Sequence, residues 1–315
     1  MGRIDISVVI PLYNEEENVP LLLERLKEVL TTLGRTFEVV CVDDGSTDRT
    51  VEILKGLKER YPFLRVVVFR RNFGQSAAMA AGFDFARGDI VISMDGDLQN
   101  DPSDIPRLIQ KLEEGYDVVS GWRRQRRDPL FTRKIPSMIA NWIIGRATGV
   151  RLHDYGCSLK AYRREVVKNI SLYGELHRFI PVLASFYGAR IAEIPVRHHP
   201  RRLGQSKYGL SRTYRVILDL LLMLFFKRFA TRPLHIFGLL GGGMILLGTA
   251  IEVYLSVLKI FYGEDIGGRP LLLLGILLII TGVNLFGTGL LAELLVRTYH
   301  ESQGKPIYTV REVIE

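Results

Sequence analysis

A short apolar run that ends in two aspartates constrains this chain more than any other segment. Residues 90–94 read IVISM, which is typical of a strand buried in a parallel sheet, and Asp95-Gly96-Asp97 follows at once. Carboxylates at the end of a buried strand are costly unless a cation lies between them. A hard divalent cation, Mg²⁺ or Mn²⁺, prefers such oxygen ligands and shares them with substrate phosphates. An acidic surface loop is the alternative explanation of the two aspartates alone.

Strands and helices alternate along the first part of the chain. Apolar runs predict strands at 6–12, 37–42, 64–69, 90–94 and 116–121, and amphipathic or Ala-rich segments predict helices between them. This order predicts an α/β fold with a mainly parallel sheet and helices on both faces. Ligands of such sheets bind beyond the carboxyl ends of the strands. The polar side chains predicted at those ends are Tyr13, Asp43, Asp44, Asp95 and Asp97.

The usual phosphate-binding glycine motifs are missing from these strand ends. The sequence has no G-x-G-x-x-G after its first strand and no G-x-x-x-x-G-K-S/T anywhere. Carboxylates occupy the positions where glycines would hold phosphate, so a diphosphate would need a metal ion there. For Asp43 and Asp44 an Asx-type turn with a helix cap is the alternative role.

The second half of the chain carries the features of a membrane protein. Of 315 residues, 47% are hydrophobic, and the excess is concentrated in 234–251 and 271–292, which contain no Asp, Glu, Lys or Arg. These stretches predict transmembrane helices at about 234–258 and 271–296. An amphipathic interfacial helix is predicted at 209–232. Cations flank the outer ends of the pair of spans and not the loop between them, so both termini are expected to be cytoplasmic.

The formal net charge of +8 indicates anionic partners. Because membrane spans are predicted, anionic lipid and phosphate substrates are favoured over nucleic acid. The two cysteines do not form a disulfide framework, and no signal peptide is visible before the first strand.

Four ordered motifs carry a family resemblance: VVIPLYNEEENV, VDDGSTDRT, RNFGQSAAMAAG and MDGDLQNDP. The chain resembles inverting family 2 glycosyltransferases of the GT-A type. The most similar branch transfers sugars to polyprenyl phosphates and includes dolichyl-phosphate mannose synthases and bacterial undecaprenyl-phosphate glucosyltransferases. The resemblance implies a Rossmann-like nucleotide-sugar domain over 1–208, the interfacial helix, two transmembrane helices within 233–298, and a cytoplasmic tail over 299–315.

The resemblance also assigns roles to individual positions. It places the nucleotide at Pro11, Tyr13, Glu15, Asp43, Asp44 and Asp95. It places the metal ion at Asp95, Asp97 and Gln99. Catalytic roles fall to Asp97, Arg123 and Asp154, and lipid-phosphate binding falls to Arg133, Ser137, Arg201, Ser206 and Lys207. For the basic run 123–127 a solvated loop is the alternative, and the sequence leaves open which arginine of the run reaches the substrate.

The implied reaction is transfer of a sugar to a polyprenyl phosphate such as undecaprenyl phosphate, with inversion and with Mg²⁺ or Mn²⁺. Glucose from uridine diphosphate glucose is the first expectation, and mannose from a guanosine donor or an amino-arabinose remains open. Asp154 is expected to position substrate, since a lipid monophosphate is already mostly a dianion at neutral pH. A bacterial-type inner membrane location and a homo-oligomer such as a tetramer are implied. A non-catalytic membrane scaffold is the rival reading.

Overall fold

The computed structural model describes residues 3–124, 141, 144–146, 148–170, 172, 176–200, 234–302 and 308–315. The chain forms two compact units, one of Met1–Leu220 with Pro306–Glu315 and one of Leu221–Lys305. The first unit contains the whole sheet, and the second contains the two long apolar helices.

The first unit is built on an eight-stranded sheet with helices between its strands. Its strands are β1 Ile6–Leu12, β2 Phe37–Asp43, β3 Leu64–Phe69, β4 Ile90–Ser93, β5 Val118–Trp122, β6 Lys160–Arg163, β7 Ile191–Pro195 and β8 Val310–Ile314. Its α-helices are α1 Val19–Thr32, α2 Thr50–Arg60, α3 Gln75–Phe85, α4 Ile105–Glu113, α5 Arg164–Lys168 and α6 Ile180–Phe186.

The strand order in the sheet is β7-β5-β6-β4-β1-β2-β3-β8. β1 pairs in parallel with β2 and β4, β2 pairs in parallel with β3, and β5 pairs in parallel with β7. β6 is antiparallel to β4 and β5, and β8 is antiparallel to β3. The predicted α/β fold with a mainly parallel sheet is therefore confirmed, and β6, β7 and β8 are additions that the sequence pattern did not predict.

Both faces of the central strands are covered. On one face α1 contributes Leu22, Leu26 and Leu30, which join the core beneath the sheet. On the other face α3 lies so close to β1 that a Cβ on Gly82 would stand 2.1 Å from Cγ1 of Val9. The parallel pairing of β1 with β2 and β4 places the carboxyl ends of the three strands at one edge of this covered sheet.

The second unit is a pair of helices, α7 Leu234–Tyr262 and α8 Pro270–Ser302. Within them Phe237–Tyr262 (26 residues) and Pro270–Leu291 (22 residues) are long and apolar enough to cross a membrane. Glycines allow the two helices to approach closely. A Cβ on Gly241 would lie 2.6 Å from the carbonyl oxygen of Gly282, and one on Gly248 would lie 2.7 Å from that of Gly275.

Candidate active site

The polar residues that follow the parallel strands converge at one edge of the sheet. Tyr13 follows β1, Asp43 ends β2, and Asp95 lies two residues beyond β4. Arg123 directly follows β5. Two of the loops at this edge contain non-glycine residues with positive φ, Asn14 at 53° and Leu98 at 61°. Such conformations persist only where the surrounding structure enforces them, and they cluster at functional sites.

A cavity of about 410 Å³ opens beside the ends of β2 and β3. Asp43 lines it, together with Tyr13 and with residues of the loops that follow the two strands. One Asp43 oxygen, Oδ2, accepts a hydrogen bond of 3.1 Å from the backbone N–H of Ser46. The other oxygen, Oδ1, is buried and has no partner in the part of the chain that the structure describes. Burial raises the pKa of Asp43. Its free acceptor is suited to a ligand N–H inside the cavity.

Asp44 is bound to backbone rather than open to a ligand. Its two oxygens accept hydrogen bonds from the N–H groups of Phe73 (2.7 Å) and Gly74 (2.9 Å), at the start of α3. Burial raises the pKa of Asp44 to about 6, and the two amide donors oppose that rise. Asp44 therefore clamps the loop before α3 against the end of β2 through long-range hydrogen bonds and not through a local Asx-type turn, and its contact with the nucleotide stays a prediction.

The remaining predicted nucleotide residues, Pro11 and Glu15, frame the turn after β1. Pro11 lies within β1, opposite Val42 of β2. The Glu15 carboxylate accepts a hydrogen bond of 2.6 Å from the side-chain amide of Asn18, and its backbone N–H donates to Thr50 Oγ1 at 2.9 Å. These contacts fix the turn that carries Tyr13 at the cavity.

Gly45 lets two loops meet at the cavity, which yields a testable expectation. Its φ is +69°, and a Cβ there would lie 2.5 Å from the backbone carbonyl carbon of Arg71. We expect Gly45→Ala to lower the free energy of unfolding by roughly 3 kcal/mol or more, because backbone must move as well as adopt a left-handed conformation. Chemical denaturation of the purified protein measures this.

Gly34→Ala is the matched control for Gly45→Ala. Gly34 has a similar φ of +63°, but a Cβ there would meet nothing within 4 Å. It should cost only the conformational penalty, about 1–2 kcal/mol. Equal losses in the two variants would contradict the proposed close approach of the Gly45 and Arg71 loops.

Asp95 and Asp97 lie together beyond β4. Asp95 Oδ1 accepts a hydrogen bond of 2.8 Å from the side-chain amide of Gln75, and Asp97 Oδ1 accepts one of 3.2 Å from the backbone N–H of Gln99. Burial raises the pKa of Asp95, and the neighbouring Asp97 raises it further, while Arg123 and Lys160 act in the opposite direction. A cation between the carboxylates would relieve the cost of keeping both ionised.

The donor set fits a divalent ion that completes its shell with substrate oxygens. Among the residues that the structure describes, no group of three or more His, Cys, Asp or Glu side chains converges on one point. Two carboxylates with the remaining positions open are typical of magnesium and manganese sites that bind phosphates. Gln99 lies beside them, and its side-chain amide reaches 3.5 Å from the carbonyl oxygen of His199.

Arg123 and Asp154 form a two-pronged ion pair in the site. The Arg123 Nε and Nη2 atoms donate to the two carboxylate oxygens of Asp154 at 2.7 and 2.9 Å. The two side chains are only 14% and 11% exposed. The carboxylate of Asp154 raises the pKa of Arg123 despite burial. Asp154 thus fixes the orientation of the guanidinium, which agrees with a positioning role.

Glu193 on β7 binds the loop that carries Asp154. Its carboxylate accepts backbone hydrogen bonds from His153 at 2.9 Å and Asp154 at 3.0 Å, and it pairs with the His153 ring at 2.7 Å. That ring stacks on Trp122 with 4.3 Å between the ring centroids. The loop that carries Asp154 is therefore held to β7 by Glu193 and to the end of β5 by the stacking on Trp122.

Three site residues were not predicted from the sequence: Gln75, Lys160 and Glu193. Gln75 lies within the RNFGQSAAMAAG motif, so its presence there was the available signal. Lys160 and Glu193 lie on β6 and β7, which have no clear strand pattern. Lys160 is 2% exposed, and its ammonium group donates to the carbonyl oxygens of Tyr155 and Cys157. Burial lowers the pKa of Lys160.

The predicted lipid-phosphate residues lie outside the described residues. These are Arg133, Ser137, Arg201, Ser206 and Lys207, and the interfacial helix predicted at 209–232 lies outside them as well. Their assignment stays a prediction.

A protein-family model matches the part of the chain that contains most of this site. The model described as Glycosyl transferase family 2 matches residues 7–171, which include strands β2 to β6 and the carboxylates Asp43, Asp44, Asp95, Asp97 and Asp154. The chain belongs to glycosyl transferase family 2, and it is a glycosyltransferase.

Individual relatives indicate a narrower class of glycosyltransferase within the family. The chain is 49% identical to a dodecaprenyl-phosphate galacturonate synthase of Rhizobium johnstonii, over 99% of this chain and 94% of that one. It is 43% identical to an undecaprenyl-phosphate 4-deoxy-4-formamido-L-arabinose transferase of Pseudomonas paraeruginosa, over 98% of this chain and 90% of that one. The resemblance to polyprenyl-phosphate glycosyltransferases is confirmed.

Solved structures support the fold. Glucosyl-3-phosphoglycerate synthase from Mycobacterium tuberculosis, in complex with Mn²⁺, uridine diphosphate and glucosyl-3-phosphoglycerate, aligns with a TM-score of 0.55. The alignment covers 72% of this chain and 80% of that one, at 20% sequence identity. At this identity the likeness concerns the GT-A fold alone.

Proposed function

We propose that this protein transfers a sugar from a uridine diphosphate donor to a polyprenyl phosphate at the cytoplasmic face of a membrane. The observation that carries the proposal is the edge of the sheet, where a carboxylate pair, the half-buried Asp95 and the buried Asp97, adjoins the ion-paired Arg123. The acceptor is inferred from the relatives, whose names specify dodecaprenyl and undecaprenyl phosphates. Helices α7 and α8 would keep the enzyme at the membrane that contains such a lipid.

Asp95 and Asp97 would hold a divalent cation, with Gln99 beside them. When bound, this ion supplies positive charge that stabilises the departing nucleoside diphosphate. The Mn²⁺ in the M. tuberculosis complexes with uridine nucleotides favours the same arrangement here. Mg²⁺ has the same preference for oxygen ligands and is an equal candidate.

The chain's own residues then position the reactants. The cavity beside β2 receives the nucleoside, where the free Asp43 oxygen accepts a hydrogen bond from the base. Arg123, aligned by Asp154, places its guanidinium near the carboxylate pair, where negative charge develops on the diphosphate. The lipid phosphate attacks the anomeric carbon directly, and the configuration inverts.

The reaction needs no general base on the protein. The second pKa of a phosphate monoester is near 6, so the nucleophilic oxygen is mostly ionised at neutral pH. The carboxylate of Asp154 is already engaged by Arg123, which leaves it poorly placed to remove a proton. Positioning and charge stabilisation are the main contributions of the enzyme.

Galacturonate is the sugar that we propose, in place of the glucose first expected. The relative with 49% identity makes a dodecaprenyl-phosphate galacturonate, and the relatives with 39–43% identity use a formamido-arabinose. Neither sugar is glucose, and the higher identity favours the uronic acid.

The sugar assignment is tested by direct transfer. Purified full-length protein is incubated with undecaprenyl phosphate and Mn²⁺ and, in separate reactions, with labelled uridine diphosphate galacturonate, uridine diphosphate glucose or guanosine diphosphate mannose. We expect label in the lipid fraction at least about 10-fold faster from the galacturonate donor. Undecaprenol, which lacks the phosphate, is the control acceptor and should remain unlabelled. Faster transfer of glucose or mannose would overturn the sugar assignment, and no lipid labelling from any donor would count against the transferase itself.

A further inference from the structure

The C-terminal strand β8 returns to the nucleotide cavity after the two apolar helices. It forms the edge of the sheet beside β3, and Arg311 at its second position lines the same cavity as Asp43 and Tyr13. Neither the sequence motifs nor the family model, which ends at residue 171, assigns a role to this strand. Its residues nevertheless contribute directly to the wall of the proposed donor site.

The backbone of β8 is irregular at the residue that enters the cavity. Val68 is paired with Glu312, but the next residue of β3, Phe69, is paired with Val310. Arg311 is therefore the extra residue of a β-bulge. A bulge redirects the side chain of its extra residue relative to the normal alternation of the strand, and bulges are frequent next to active sites.

Contacts on both sides of the bulge hold β8 in place. Before the bulge, Tyr308 stacks on Phe69 with 5.1 Å between ring centroids, and its hydroxyl donates to Asp84 at 2.8 Å. After the bulge, Glu312 pairs with Lys55 at 2.7 Å. Glu315 at the end of the chain pairs with Arg65 and Arg87. The position of Arg311 is thus fixed by its neighbours and does not depend on its own contacts.

The guanidinium of Arg311 is available for a ligand. The side chain is exposed, and among the described residues no carboxylate forms an ion pair with it. Asp43 is paired with Val68, which in turn is paired with Glu312, so the two walls of the cavity are two strands apart. Two strand spacings are about 10 Å, so Asp43 and Arg311 lie on opposite sides of β3. The cavity that both residues line has a volume of about 410 Å³, which is large enough for a planar ring.

We propose that Arg311 contacts the nucleobase of the donor, opposite Asp43. Asp43 offers a hydrogen-bond acceptor and Arg311 offers a planar set of donors, and together they complement a base that carries both an N–H group and carbonyl oxygens. The guanidinium also stacks on planar rings, which an ammonium group does not do. Arg311 lies on the β3 side of the cavity, whereas Asp95 and Asp97 follow β4 on the other side of β1, so the base and not the diphosphate is its partner. The inference deepens the proposed function and rests on it for the identity of the ligand.

Nucleotide titration calorimetry on the purified full-length protein with Mn²⁺ tests this role. We expect Arg311→Ala to weaken the binding of uridine monophosphate and uridine diphosphate by the same factor, about 10-fold, because the base is common to both. Arg311→Lys should recover little of the loss, since lysine keeps the charge but not the planar donors. Val313→Thr, on the same strand but exposed and outside the lining of the cavity, is the control and should bind both nucleotides as the wild type does.

Each alternative result is distinguishable. Unchanged affinity in Arg311→Ala would overturn the proposal, and weakened binding of the diphosphate alone would show that Arg311 contacts the phosphates and not the base. Full recovery in Arg311→Lys would also overturn the proposal, because lysine lacks the planar donors that the contact with the base requires. The unfolding temperature of Arg311→Ala without nucleotide should match the wild type, which excludes a folding defect. If the wild-type protein binds uridine nucleotides and transfers no sugar, the proposed function fails while this inference stands.

Discussion

Replacing Asp97 with asparagine is expected to lower the rate of sugar transfer to polyprenyl phosphate by about 10³-fold or more. The substitution keeps the size of the side chain and removes one of the two carboxylate charges beyond β4. Loss of a group that stabilises developing charge in a closed site typically costs this much. The measurement is the initial rate of label transfer from nucleotide sugar to lipid, at saturating Mn²⁺, by purified protein.

Asp89→Asn provides the matched control for Asp97→Asn. Asp89 immediately precedes the same strand but lies at its opposite end, where it pairs with Arg3 at 2.6 Å on the protein surface. An exposed ion pair contributes about 0–1 kcal/mol, so this variant should retain nearly full activity. Transfer by Asp97→Asn within a factor of ten of the wild-type rate would contradict the assignment of a charge-stabilising role to Asp97.

Replacing Arg123 with glutamine is expected to impair both stability and transfer. Its partner Asp154 would then lose the guanidinium that pairs with both of its oxygens, at a place where the two side chains are only 14% and 11% exposed. Breaking a buried pair by removal of one member typically costs about 3–5 kcal/mol. Chemical denaturation measures the stability, and the lipid-transfer assay measures the loss of activity.

A double-mutant cycle separates these two effects. The variant Arg123→Gln/Asp154→Asn removes both charges, so neither side chain is left as an uncompensated ion. Its loss of free energy of unfolding should therefore be smaller than the sum of the losses in the two single variants. Its activity should stay low, because the positive charge near the diphosphate is still absent. Arg124→Gln is the control, since the Arg124 guanidinium lies 5.7 Å above the Trp122 ring and is exposed. Additive stability losses, or activity restored in the double variant, would contradict the role assigned to the pair.

The central part of the fold could be predicted from the sequence because its strands are buried on both faces. β1 and β3 have the predicted bounds, Ile6–Leu12 and Leu64–Phe69, since each is an apolar run interrupted by a single polar residue, Ser7 in β1 and Arg65 in β3. The two apolar helices, α7 and α8, could be predicted from their apolar runs in the same way. A continuous apolar run is a local signal that does not depend on the partner strand.

The outer strands depend on distant partners and could not be predicted in the same way. β6 reads KAYR and is a strand because it fits antiparallel between β4 and β5. β8 reads VREVI, and its docking uses pairs such as Arg65 with Glu315, which are 250 residues apart in the chain. Four or five residues of mixed polarity give too weak a pattern to predict either strand.

The site residues likewise differ in how far they could be predicted from the sequence. The aspartates that follow β2 and β4 were predictable, because parallel topology brings the strand ends together. The detail of their roles was not: Asp44 is bound by the amides of Phe73 and Gly74, and Asp95 is held by Gln75. Arg311 lines the cavity from a strand that the sequence pattern did not reveal.

The anomeric configuration of the lipid product tests the proposed direct attack most sharply. Purified full-length protein, Mn²⁺, undecaprenyl phosphate and the preferred nucleotide sugar are incubated, and the sugar phosphate linkage of the extracted lipid is determined by NMR coupling constants. A single displacement by the lipid phosphate predicts a product with the configuration opposite to that of the donor. A product with retained configuration would contradict direct attack.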